Sequence, residues 1–200
     1  LGLSRRADVV LLDDDFVPQN TWYGGQLVVE GRQPTAMLEQ QLTEARWQYP
    51  QAAYETIKLP EHVDLLPPLP SEPCVANLLE VKLPGVACFH ERLPLNAACD
   101  SWEDLLQAHD LCHVAVVERH GLSGGVGHGL MKGLKLTSGA VASSVGHDAH
   151  NIVIAGADEA SMQVALKAIE AMRGGIVIVE EGEVVASVPL PLAGLLSDKR

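Results

Sequence analysis

Four polar or ionisable side chains, His147, Asp148, His150 and Asn151, fall between two runs fit for buried strands. Gly139 to Val145 is made of small and β-branched residues, and Ile152-Val153-Ile154-Ala155 is apolar again. A packed domain has to satisfy such a knot with hydrogen bonds or put it to use. A carboxylate between two imidazoles can orient them, fix their tautomers, or share a metal or ligand with them. The plainer reading has Asp148 accepting from turn amides while the histidines satisfy neighbours.

The chain around this knot has 200 residues, enough for one large domain or two small ones. With 47% hydrophobic and 20% charged residues it has a globular composition. No uninterrupted apolar run reaches the length of a membrane span, and no secretory leader is recognisable. A formal net charge of -12 argues against nucleic acid and anionic membranes as partners. Cys74, Cys88, Cys99 and Cys112 are widely spaced, which suits reduced thiols and a cytoplasmic setting. The first residue is Leu1, not Met, which is expected of a processed chain or of a piece of a longer one.

Taken in order, Ala7–Leu12 and Gln26–Arg32 read as short strands, and a helix is expected around Met37, Leu38, Leu42 and Ala45, with Trp47 nearby. Eight of the twelve prolines lie between Pro50 and Pro94, and Leu-Leu-Pro-Pro-Leu-Pro at 65–70 has linker chemistry. Val75–Lys82 and Val86–His90 are possible strands. Ser101 can cap a helix running to about His109. His113–Glu118 is a strand. Asp158–Met172 carries Met162, Ala165, Leu166, Ile169 and Met172 on one face, with Gly175 suited to a left-handed exit. A hairpin of Ile176–Val179 and Val184–Val188 turns at Glu181-Gly182-Glu183. Strands, then a helix, then strands, without long alternation, predict an α+β fold.

Other candidates compete with the knot. Ser123–Gly129 is glycine-rich but fits neither phosphate-loop pattern, and it reads better as a loop closing over a pocket, with His128 inside it. His109 and His113 have ligand spacing only on a shared helix, and a helix end falls between them. Glu118-Arg119-His120 ends a strand and is either a surface ion pair of Glu118 with Arg119 or support for a pocket. No Gly-x-Ser-x-Gly elbow accompanies Ser143-Ser144, so a serine-hydrolase triad is not indicated.

Ser143-Ser144-Val145-Gly146-His147-Asp148-Ala149-His150-Asn151-Ile152 resembles the signature of the C-terminal domain of bacterial-type adenine deaminases, of the amidohydrolase superfamily. Val114–Gly121 is similar to a family strand ending in Glu-Arg-His or Glu-Arg-Tyr, and Leu190–Ser197 to the family's Leu-Pro-Leu segment. The likeness is dense from Val114 to Asp198 and thin from Thr35 to Asp110. It implies an organisation into residues 1–34 as the tail of a β-sandwich, 35–70 as helix and proline-rich linker, and 71–200 as an α+β C-terminal domain. It also implies a parent enzyme that hydrolyses adenine to hypoxanthine and ammonia with a metal-activated water. The family's ligands lie mainly in a (β/α)8 barrel with a His-x-His strand, and no His-x-His occurs here. The barrel is therefore expected to be absent, the chain to be inactive alone, and the parent's manganese or iron to be bound elsewhere, with none on this chain.

The resemblance places His147, Asp148 and His150 beside the chemistry or the substrate, and Glu118, His120, Ser144 and Asn151 at the substrate. Adenine is the expected small-molecule partner, and a homo-oligomer the expected state of the parent. Two other readings stay open: a non-catalytic ligand-binding or assembly module, and a self-sufficient metal site on His147, Asp148 and His150.

Overall fold

The computed structural model describes residues 5–45, 48–83, 87–95 and 101–199. Trp47, Val86 and Cys99 lie outside the described residues. The chain divides into two compact units, residues 1–48 and 49–200.

The first unit is a four-stranded antiparallel sheet of β1 (Val9–Leu12), β2 (Pro18–Tyr23), β3 (Gln26–Glu30) and β4 (Gln33–Pro34), followed by α1 (Ala36–Ala45). Strands β1 and β3 lie within the expected runs. The polar strand β2 was invisible to an apolar-run reading. It exists because it pairs on both sides, Val10 with Thr21 and Thr21 with Val29.

The second unit is built on an eight-stranded sheet. Its elements are β5 (Cys74–Leu83), β6 (Ala87–Leu95), α2 (Trp102–His109), β7 (Leu111–Val117), β8 (Val126–Lys132), β9 (Ala140–Ser143), β10 (Ile152–Gly156), α3 (Glu159–Ala171), β11 (Gly175–Glu180) and β12 (Glu183–Pro189). The strand order is β12-β11-β9-β10-β7-β8-β5-β6. Only β5 and β8 pair in parallel among the described strands. Strands, helices and this sheet make an α+β fold, with no (β/α)8 barrel among the described residues.

Local chemistry sets the helix ends. The Ser101 hydroxyl accepts from the Asp104 amide at 3.1 Å, and the Asp158 carboxylate from the Ser161 amide at 2.8 Å, so each satisfies a donor the helix itself cannot. At the exit of α3, Arg173 and not Gly175 is the residue with helical left-handed backbone, at φ 61. Its amide donates to the Glu170 carbonyl and that of Gly174 to the Ile169 carbonyl, which closes the last turn. The β11–β12 hairpin turns through Glu181 (φ 50) and Gly182 (φ 79), as a two-residue connection of right-twisting strands requires.

The main core lies between α3 and the sheet. Met162, Ala165 and Ile169 on the helix and Ala115, Val117, Ala140, Ala142, Ile152, Ile154, Val177 and Val179 on the strands are buried there. A second cluster under α2 joins Leu105 and Leu106 to Leu78, Leu95, Leu111 and Leu130.

Two expectations need correcting. The proline-rich run is not free linker throughout, because Val63 and Leu65 are buried in the main core and the Val63 carbonyl accepts from Gln163. Nor is the glycine-rich segment a loop along its length. From Val126 it is strand β8, paired with β7 on one side and β5 on the other, so tertiary pairing overrides the weak strand preference of glycine.

Candidate functional site

The chain leaves β9 at Ser143 and rejoins the sheet at Ile152, and the polar knot is the loop between. Gly146 makes the turn possible: a Cβ there would meet the Asn151 carbonyl oxygen at 2.7 Å and Val153 Cγ2 at 3.1 Å. The His150 amide donates back to the Gly146 carbonyl, and His150 has a left-handed backbone, φ 52. The knot is thus a closed turn of backbone with His147 and Asp148 exposed and His150 and Asn151 half-buried.

His147 Nδ1 and Asp148 Oδ1 are 2.6 Å apart, with the two side chains 87% and 88% exposed. A carboxylate on Nδ1 fixes the tautomer and leaves Nε2 facing outward. The His150 ring stands edge-on to that of His147, with centroids 6.4 Å apart. His150 Nδ1 and Asn151 Oδ1 are buried and have no hydrogen-bond partner. Two orphaned atoms in one short loop are unusual, because buried polar groups are otherwise almost always paired.

The loop is held from β7 and its extension. Arg119 is only 2% exposed. Its Nε donates to the His150 carbonyl, Nη1 to Thr56 Oγ1 at 3.1 Å and to the Thr56 carbonyl at 3.4 Å, and Nη2 to the Ala193 carbonyl at 2.9 Å. Burial lowers its pKa, but a guanidinium keeps its charge in proteins. His120 adds a contact of 3.0 Å between Nε2 and the Ala149 carbonyl.

Glu118 does something different. Its carboxylate accepts from the amides of His120, Leu122, Ser123 and Gly124 and so gathers the glycine-rich turn before β8. The Ser123 amide and its three neighbours hold the carboxyl well below the usual range, at about 2. The surface ion pair between Glu118 and Arg119 does not form: neighbours along a strand extension point to opposite sides. Sequence reasoning missed the brace at Arg119, although continuing the inward series His113, Ala115, Val117 would have placed residue 119 inside.

The remaining candidates separate from the knot. Ser144, expected at the substrate, is fully buried; its hydroxyl donates to the Gly194 carbonyl at 2.6 Å and accepts from the Gly175 amide at 2.8 Å. His128 sits on β8 with Nε2 2.9 Å from the Asp64 carbonyl. His109 is exposed at the end of α2, while His113 is buried on β7, so they share no site. Among the described residues no group of three His, Cys, Asp or Glu side chains is placed to hold a metal ion. The His147–Asp148 pair with His150 therefore does not make up such a group as it stands. Cys74, Cys88 and Cys112 are free thiols, and no described helix is long and apolar enough to cross a membrane.

A unit of one mixed sheet and two helices that presents a braced His-Asp loop is, in class, an α+β domain. The chain belongs to the adenine deaminase C-terminal domain family, whose model matches residues 90–200. It is 57% identical over its whole length to an adenine deaminase of Chelativorans sp. (strain BNC1) and 56% identical to one of Bradyrhizobium sp. (strain BTAi1). Over 96% of its length it is 37% identical to an adenine deaminase of Desulforamulus reducens. The chain spans about a third of the length of these relatives, 33%, 33% and 32% respectively.

Proposed function

We propose that this chain serves as the C-terminal domain of an adenine deaminase and that its loop 146–151 borders the active site. In the reaction the oxygen of water adds to C6 of adenine, the bond from C6 to the amino nitrogen breaks, and hypoxanthine and ammonia leave. When bound, the family's manganese or iron activates that water; on this reading it is held by polypeptide beyond this chain. The whole enzyme is proposed to work in the cytoplasm as a homo-oligomer.

The observation that carries the reading is the combination in one loop of an outward His147–Asp148 pair, two orphaned polar atoms and a buried guanidinium behind them. Asp148 fixes the His147 tautomer and leaves Nε2 as an acceptor for a substrate N–H. His150 Nδ1 offers a further donor or acceptor and Asn151 Oδ1 a further acceptor, and His120 steadies the loop through Ala149. Glu118 and Ser144 act at one remove, by shaping the backbone.

The test is made in the full-length deaminase. Asp148→Asn and His147→Asn are expected to lower turnover by ~10–100-fold, with the melting temperature unchanged. Near-normal turnover with a lowered melting temperature would make the loop structural and favour the alternative, a non-catalytic ligand-binding or assembly module. The 200-residue chain by itself should release no ammonia from adenine, with or without manganese.

A further inference from the structure

One face of the eight-stranded sheet is packed under α3, with Ala140, Ala142, Ile152, Ile154, Val177 and Val179 all 2% exposed or less. The outward positions of the same strands should be polar if that face met water, as they are in sheets with one solvated face. They are not. Cross-strand pairing sets Val188, Ile176, Ser143, Val153 and Val116 side by side in one row. Ala186, Ile178, Val141 and Ala155 form the next. Neither row holds a charge, in a chain of which 20% is charged. Val116, Val141, Ile176, Ile178 and Val188 are 38–54% exposed, and Val145 continues the patch at 42%.

A charge-free surface across five strands, aliphatic but for Ser143, marks an interface rather than chance exposure. We propose that this face packs against the part of the adenine deaminase polypeptide that this chain does not span. The occupant follows from coverage: the chain is 33% of the Chelativorans relative, so two thirds of such an enzyme lies outside it. Continuity with the candidate site supports the choice. Gly146, where the loop begins, lies against Val153 of the first row. A body seated on the face therefore also meets the rim that carries His147 and Asp148. The inference rests on the reading that the chain works within a longer deaminase.

The experiment mixes the chain with the separately produced remainder of the Chelativorans enzyme and follows association by sedimentation velocity. The wild-type chain is expected to form a one-to-one complex. Val141→Lys and Ile178→Lys should each weaken it by at least ~100-fold, because each buries a charge in an apolar contact, while the variants alone keep the wild-type melting temperature. Should either lysine disturb the fold, Ile178→Thr keeps the β-branch and is still expected to weaken the complex. Side-chain hydroxyl-radical labelling of the wild-type complex should protect Val141, Ile176 and Ile178. The proposal is overturned if no complex forms, or if the lysine variants bind as tightly as wild type. It is also overturned if the chain alone protects these residues or self-associates through them. An Asp148→Asn chain separates the two readings: a complex of normal affinity with undiminished adenine turnover leaves the interface standing and removes the loop's role.

Discussion

The guanidinium of Arg119 donates to the backbone carbonyl of His150, and its other donors go to Thr56 and Ala193. Its partners are three carbonyls and one hydroxyl, so dipoles and not a carboxylate receive the buried charge. The planar fork spreads its donors over three nitrogens and so spans acceptors set far apart, whereas an ammonium carries all its donors on one atom. Arg119→Lys is expected to cost on the order of 3 kcal/mol, since it leaves buried acceptors unmade. Chemical denaturation of the wild type and variant checks this, and hydrogen exchange should speed up at Gly146–Asn151 before the rest of the sheet.

The Glu118 carboxylate gives a pH signature. Four amide donors lower its folded pKa to about 2, so the folded state favours the ionised form. Stability from this group is fully present above the unfolded glutamate range and is lost as pH falls from about 4.3 through about 2. Melting curves of Glu118→Gln should lie below wild type at neutral pH and converge on it across that interval. Parallel curves at all pH values would mean that the amides do not hold the charge.

His113 titrates in the opposite chemical sense but with the same slope. Burial lowers its folded pKa to about 4, so the folded protein keeps it neutral while the unfolded chain protonates near 6.5. The unfolded state binds more protons between these values, and stability therefore falls as pH drops through that window. Its ring meets Trp102 edge-on at 5.1 Å, and its Nδ1 has no partner. His113→Phe should flatten the dependence of the urea midpoint on pH between about 6.5 and 4. Carbon resonances of the wild-type ring should show no titration above pH 5.

Ser144 separates stability from activity. With the hydroxyl committed to Gly194 and Gly175, Ser144→Ala leaves a buried amide and carbonyl unmatched, at a cost of ~1–3 kcal/mol. In the full-length deaminase, turnover at a temperature where the variant is folded should stay within about twofold of wild type. A large loss of turnover at unchanged stability would return Ser144 to the substrate.

What could be read in advance was local. Helix α3 announced itself through a capping Asp158 and a 3.6-residue apolar period, and the β11–β12 hairpin through its Glu181-Gly182 turn. Strands β2 and β8 could not be read, because Asn20, Thr21, Gly127 and Gly129 become strand only through neighbours supplied elsewhere in the chain. The same division runs through the site. His147, Asp148, His150 and Asn151 are contiguous and were visible as a cluster. The brace was not, because Arg119 collects acceptors 31, 63 and 74 positions away, a relation no window of sequence contains.

That last distance has a bearing on synthesis. The segment carrying Ala193 and Gly194 lies so close that a Cβ on Gly194 would fall 2.7 Å from Arg119 Nη1. It is made more than forty residues after the loop it helps to secure. A ribosome that has finished Asn151 has emitted every side chain of the loop but not the carbonyl that completes its anchor. Nascent chains halted before Ala193 should therefore carry a loose, protease-sensitive loop, and the turn at Ala193–Gly194 acts as the latch that closes it.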